Sequence, residues 1–178
     1  MASWNSRGLR GSVLEETINL TNERYRQKGL ALVQKIPTSI IPLEIDNKTR
    51  KITNAYFEKK STVDYIGNVQ GVPVCFDAKE CTKSYFPIHN VHEHQMEYME
   101  DFEKQQGISF FIIYFSQTDE YYYVPYRDMK VFWERAKGGG RQSFRISELD
   151  VDYRVSMTNQ IYLHYLDALS RDLESRDE

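Results

Sequence analysis

The chain has 178 residues, 40% of them apolar and 28% charged, with a net charge of −3. These values suit one globular domain with a real core. They exclude a helical membrane span, because the longest apolar run, Ile108 to Phe115, is far too short to cross a bilayer.

Met1 to Arg7 has no apolar core region, so no secretory signal is expected there. The two cysteines, Cys75 and Cys81, read as free thiols, and the expected location is the reducing cytoplasm. Charge is unevenly spread. Residues 1–60 carry eleven Lys or Arg against six Asp or Glu, and residues 141–178 carry five against eight. Such polarity lets one surface face a polyanion while the total stays acidic.

In chain order, Ser12-Val13-Leu14-Glu15 predicts a capping box, with Ser12 as N-cap and Glu15 at the third helical position. The helix should run to about Lys28, bury Leu14, Ile18 and Tyr25, and stop at Gly29. Ala31 to Ile36 reads as a strand. Ile40 to Ile45 and Lys51 to Phe57 read as a hairpin around the turn-rich Asp46-Asn47-Lys48-Thr49. With Lys48, Arg50 and Lys51 at its end, that hairpin is too basic for a buried turn and is expected to project as an arm.

Asp64 to Asn68 and Val72 to Ala78 form two further strands joined by a short turn at Gly71. Asn90 to Gln106 predicts a helix capped by Asn90 and ended by Gly107. Gln95 falls on its apolar stripe with Val91, Tyr98, Met99 and Phe102, so its amide must find a partner inside. Ile108 to Phe115 is a buried strand, and Glu120 to Val124 pairs with it. A helix is expected from Asp128 to Ala136, another from about Thr158 to Leu169, and a frayed tail over 170–178. The whole predicts one mixed α/β domain over 1–178, with a central sheet flanked by helices and a hairpin insertion at 39–58.

Strand alternation puts Cys75, Asp77 and Lys79 on one face, opposite Val74, Phe76 and Ala78. Asp64 comes from the neighbouring strand. Two carboxylates and a lysine suit a divalent cation such as Mg²⁺, which favours oxygen ligands and needs one or two carboxylates from protein. An exposed charge pair on a strand is the plain alternative for Asp77 and Lys79. Glu15 also reads as a capping-box partner, and Gln95 as a satisfied core amide.

With Glu15 before them and Gln95 after, these residues resemble the ordered pattern of the PD-(D/E)xK nuclease superfamily. Arg10-Gly11, Leu14-Glu15, Thr21-Asn22, Ala55-Tyr56-Phe57, Asp64-Tyr65, Ala78-Lys79-Glu80, Phe86-Pro87, His94-Gln95, Phe132-Trp133 and Gly139-Gly140-Arg141 extend the resemblance to the RecU family of Holliday junction resolvases. The similarity runs from about Arg7 to Ser147.

The resemblance implies a restriction-endonuclease-like fold whose hairpin is a projecting stalk. It implies that Asp64 and Asp77 hold Mg²⁺, with Mn²⁺ able to substitute. Lys79 would attend the attacking water, Glu15 would support the metal site, and Gln95 would orient water or phosphate. Arg7, Arg10, Lys48, Arg50 and Lys51 would contact DNA. The implied substrate is a four-way junction, cut by two symmetric incisions and hence by a C₂ homodimer. A recombinase or branch-migration protein is a further expected partner, with the nucleoid as the site of action. Two departures stand out: Asp77 where the better-known members carry Glu, and Val63 where they carry Thr. They leave two alternatives: a silent DNA-binding, recombinase-modulating protein, or a less junction-selective nuclease of phage or mobile-element origin.

Overall fold

The computed structural model describes residues 13–57 and 62–176. Ser12, Arg7 and Arg10 lie outside the described residues. In chain order, α1 (Val13–Gln27) leads to β1 (Leu32–Lys35), the hairpin strands β2 (Ile40–Asp46) and β3 (Lys51–Phe57), then β4 (Tyr65–Val69) and β5 (Val72–Cys81). The short β6 (Tyr85–Pro87) precedes α2 (Glu93–Lys104), β7 (Ile108–Phe115), β8 (Glu120–Pro125) and α3 (Tyr126–Lys137). The chain continues through β9 (Ser143–Arg145), β10 (Arg154–Val155), β11 (Met157–Thr158), β12 (Tyr162–Leu163) and α4 (Leu166–Glu174).

Six strands form one mixed sheet in the order β1-β4-β5-β7-β8-β10. Within it β5 and β7 run parallel, while β4–β5 and β7–β8 are antiparallel hairpins. Helices cover both faces. Leu14, Ile18 and Tyr25 of α1, with Ala168 and Leu169 of α4, pack on Val74, Phe76, Phe110 and Ile112. Met96 and Met99 of α2, with Met129 and Phe132 of α3, pack on Cys75, Phe111, Ile113 and Val124. The predicted α/β architecture is therefore present, and its reason is the period-two alternation of β5 and β7 between two apolar layers.

Stacked rings tie the sheet together. Tyr65 lies 4.7 Å from Phe76, Phe76 4.7 Å from Phe110, and Phe110 4.2 Å from Tyr123, so one aromatic ladder crosses β4, β5, β7 and β8. Each such contact contributes about 0.5–1.5 kcal/mol beyond the area it buries.

The β4–β5 turn fixes a register that matters below. Gln70 and Gly71 both have positive φ (50° and 99°), as a two-residue hairpin loop requires, and Asn68 Oδ1 accepts from Gly71 N at 2.8 Å. Gly67 lies opposite Val33 on β1. A Cβ there would come within 2.4 Å of the Leu32 carbonyl oxygen and 2.6 Å of Val33 Cα. These are backbone atoms that can yield only by prising β1 from the sheet. Gly67→Ala is expected to cost about 1–3 kcal/mol, read as a lower urea midpoint.

Three expectations need correction. Asn90 does not cap α2; Ile88–Asn90 form a separate 3₁₀ turn, and His92 is the N-cap, with Gln95 Oε1 accepting from its backbone N–H at 3.1 Å. The helix expected over Thr158–Leu169 is instead the β11–β12 pair followed by α4. Ile161, Leu163 and Tyr165 are buried at period two, a strand pattern. The tail is not frayed over residues 170–176: α4 continues to Glu174, and Asp172 is fully buried.

Candidate active site

The register Tyr65↔Phe76 on β4 and β5, carried one residue further, sets Asp64 directly opposite Asp77. The two aspartates interlock through main-chain bonds. Asp77 Oδ1 accepts from Asp64 N at 3.1 Å, and Asp64 Oδ2 accepts from Ala78 N at 3.0 Å. Asp77 is fully buried on the α2 face of the sheet, the side that also holds Cys75. Gln95 reaches it from the first turn of α2, with Nε2 donating to Asp77 Oδ1 at 2.9 Å. The Gln95 amide is therefore spent at both ends, its oxygen on the His92 N–H and its nitrogen on Asp77.

Lys79, one strand repeat beyond Asp77, places Nζ 2.5 Å from Asp77 Oδ2. The approach is off the hydrogen-bond axis, and this buried oxygen has no hydrogen-bond donor among the described residues. Burial first, and the charge of Asp77 second, push the Asp64 carboxyl up to about 6. Burial and the facing carboxylate thus both disfavour the charged form of Asp64.

Glu15 lies on α1. Its carboxylate forms an ion pair with Lys35 Nζ at 2.5 Å, and among the described residues no three His, Cys, Asp or Glu gather as a metal-ligand set. Tyr65, next to Asp64 in the chain, reaches the backbone of Glu15. Its hydroxyl donates toward Asn19 Oδ1 at 3.1 Å, with the Glu15 carbonyl oxygen 3.3 Å away. Burial raises the Tyr65 phenol above its ordinary range, and the charges of Glu15, Asp64 and Asp77 add to the effect.

Sequence reasoning missed Lys35 and Glu80. Glu80 Oε1 accepts from Leu14 N at 2.9 Å, taking one of the free donors at the start of α1. Both partnerships join positions far apart in the chain, and no local pattern announces them. Val63, where the resemblance leads one to expect Thr, is fully buried against the α2–α3 layer, an environment that suits its side chain. Cys75 is buried beside Ser109, and burial pushes its thiol up to about 12, so it is an inert core group.

The hairpin β2–β3 pairs within itself and forms a sheet of its own. Asp46 orders its tip: its carboxylate accepts from Lys48 N at 2.9 Å and Thr49 Oγ1 at 2.6 Å, and its carbonyl from Arg50 N at 2.8 Å. Arg50 adopts φ 54°, and Lys48, Arg50 and Lys51 are exposed.

Fold and site together define an α/β protein with two facing aspartates, one of them fully buried, and a lysine at the end of a central hairpin, with an amide fixing one carboxylate. The model of the family described as Recombination protein U matches residues 9–171. The chain is 38% identical to a Holliday junction resolvase RecU of Pediococcus pentosaceus, over 94% of this chain and 86% of the relative. It is 39% identical to that of Leuconostoc citreum, over 94% and 83%, and 36% identical to that of Staphylococcus aureus, over 92% and 81%. The chain belongs to the RecU family.

Proposed function

We propose that this protein is a structure-selective endodeoxyribonuclease that cuts Holliday junctions during recombination and repair. The observation that carries the reading is the aspartate pair, Asp64 opposite Asp77, with Lys79 Nζ 2.5 Å from Asp77 Oδ2. The names of its relatives support the same substrate.

The donor set fits a divalent cation, since two carboxylates converge and Asp77 Oδ2 is buried without a hydrogen-bond donor among the described residues. Asp64 and Asp77 would hold Mg²⁺, for which Mn²⁺ substitutes. When bound, such an ion polarises a phosphoryl oxygen and neutralises charge developing on it. The protein's own groups do the rest. Gln95 holds the Asp77 carboxylate in one orientation, and Lys79 orients the attacking water and offsets negative charge on the phosphate. Glu15, whose carboxylate pairs with Lys35, supports the site from α1.

In the same reading the central sheet is a restriction-endonuclease-like core, and β2–β3 is a stalk whose Lys48, Arg50 and Lys51 contact phosphates, with Arg7 and Arg10 as further DNA contacts. Two symmetric incisions call for a C₂ homodimer acting on nucleoid DNA in the cytoplasm, alongside a recombinase or branch-migration protein. No helix among the described residues is long and apolar enough to cross a membrane.

The test compares a mobile four-way junction with a linear duplex of matched sequence in Mg²⁺. Paired symmetric nicks confined to the junction are expected; equal cutting of both substrates overturns the proposal.

A second check needs no cleavage. An aspartate titrates near 3.9 in an unfolded chain, on the order of two units below Asp64 here. Between those pH values the folded protein binds more protons than the unfolded one, so stability without metal falls as pH rises through the window up to about 6. Mg²⁺ should raise the melting temperature at about pH 7.5 and raise it less at about pH 5, where Asp64 is protonated. Equal stabilisation at both values removes the pair as the cation site.

A further inference from the structure

We infer that the cleft between α2 and α3 takes up one unstacked nucleobase of the DNA that is cut; this rests on the junction-nuclease reading above. The cleft has a volume of about 320 Å³, with Trp133 as one wall, Ile88 and Ala136 as apolar floor, and Glu93 and Lys137 at its mouth. That is the small end of the range for small-ligand sites, about 300–1,000 Å³, and suits a single ring system better than a peptide segment.

The lining chemistry matches a base with its phosphate attached. Trp133 is half-buried and offers a π-face to any of the bases. Lys137 Nζ rests over that face, 5.3 Å from the ring centroid, and is held there by Glu93 Oε1 at 2.7 Å. Both partners of this ion pair are half or more exposed (50% and 64%), so it opens at little cost. Opening bares the indole for stacking and frees Lys137 for a phosphate. Gln142 spends its Nε2 on the carbonyls of Ala136 and Gly140 at 2.7 and 3.1 Å, which leaves its Oε1 as an acceptor for a base N–H.

Charge and position point the same way. Residues 135–145 contain Arg135, Lys137, Arg141 and Arg145 and no acidic residue, although Arg135 and Arg141 share Glu148 as partner. Glu93 sits on the first turn of α2, two residues before Gln95, whose amide is bonded to Asp77. The first turn of α2 therefore gives one residue to the cleft and another to the cutting centre.

The test uses full-length wild-type protein and junctions carrying 5-iododeoxyuridine at successive positions around the crossover. Samples are irradiated without divalent ion, and the adducts are mapped by mass spectrometry. Cleavage and binding are measured in parallel. An adduct on Trp133 is expected from one position, and Trp133→Leu should bind the junction about tenfold more weakly while keeping its melting temperature. Adducts confined to other residues, with wild type still binding and cutting, overturn the base site alone. A wild-type protein that neither binds nor cuts the junction sinks the nuclease reading and the base site with it.

Discussion

Asp64→Asn and Lys79→Ala should each lower the rate of junction cleavage by about 10²–10⁴-fold while leaving junction binding nearly intact. Asparagine keeps the shape of Asp64 and an oxygen to accept from Ala78 N, so the β4–β5 pairing survives. What it removes is one of two facing carboxylates and with it the charge that a cation needs. Asp64→Asn should also melt at a higher temperature than wild type when both are free of metal, because the cost of burying the charge, and its repulsion from Asp77, which push Asp64 up to about 6, are gone. A variant that is more stable and less active is the signature of a site strained for function. Lys79→Ala acts differently. It strips the cation from Asp77 Oδ2, a buried oxygen with no hydrogen-bond donor, so it should lose stability as well as rate. Single-turnover cleavage beside thermal melts separates the two effects. Wild-type cleavage in either variant removes that residue from the centre.

The second large effect lies far from the centre. Asp172→Ala should destabilise the protein by about 3–5 kcal/mol, measured by urea unfolding. Asp172 is fully buried in α4 and gathers partners from β8, from α3 and from the residues just after α4. Tyr123 on β8 donates to its Oδ2 at 2.6 Å, Arg176 Nε lies 3.0 Å from its Oδ1, and Arg127 of α3 pairs with the same oxygen. Arg176 goes on to Glu103 of α2 at 2.6 Å. Alanine would leave Arg127 without that counter-charge and the Tyr123 hydroxyl without its acceptor. Tyr123 ends the aromatic ladder that runs through Phe110 to Phe76, next to Asp77 in the chain. Loosening α4 should therefore lower cleavage at temperatures where the protein remains folded. A loss below about 1 kcal/mol would mean that the tail is dispensable.

Much of this was written locally. Period-two alternation in Val72–Cys81 and the unbroken apolar run Ile108–Phe115 gave the two central strands, and Gly29 ended α1 where expected. Gly71 marked the turn whose register brings Asp64 opposite Asp77, so that pair and Lys79 were legible before any fold was known. Gln95 was legible as a polar residue on an apolar stripe, although its partner was not: it binds Asp77 itself.

The rest depended on contacts between distant segments. Charged residues such as Asp172 and Arg176 look like a solvated tail in sequence, because the burial that pairs them exists only after α4 docks on β8 and α2. Glu15 read as a capping partner and metal support, and sequence alone gave no sign that its carboxylate meets Lys35, twenty residues on. Periodicity and turn chemistry are properties of neighbours along the chain, and they determined the strands, the β4–β5 register and the gathering of Asp64, Asp77 and Lys79. Which charge is neutralised, and by what, is set by desolvation and proximity in three dimensions, and only the tertiary structure decided it.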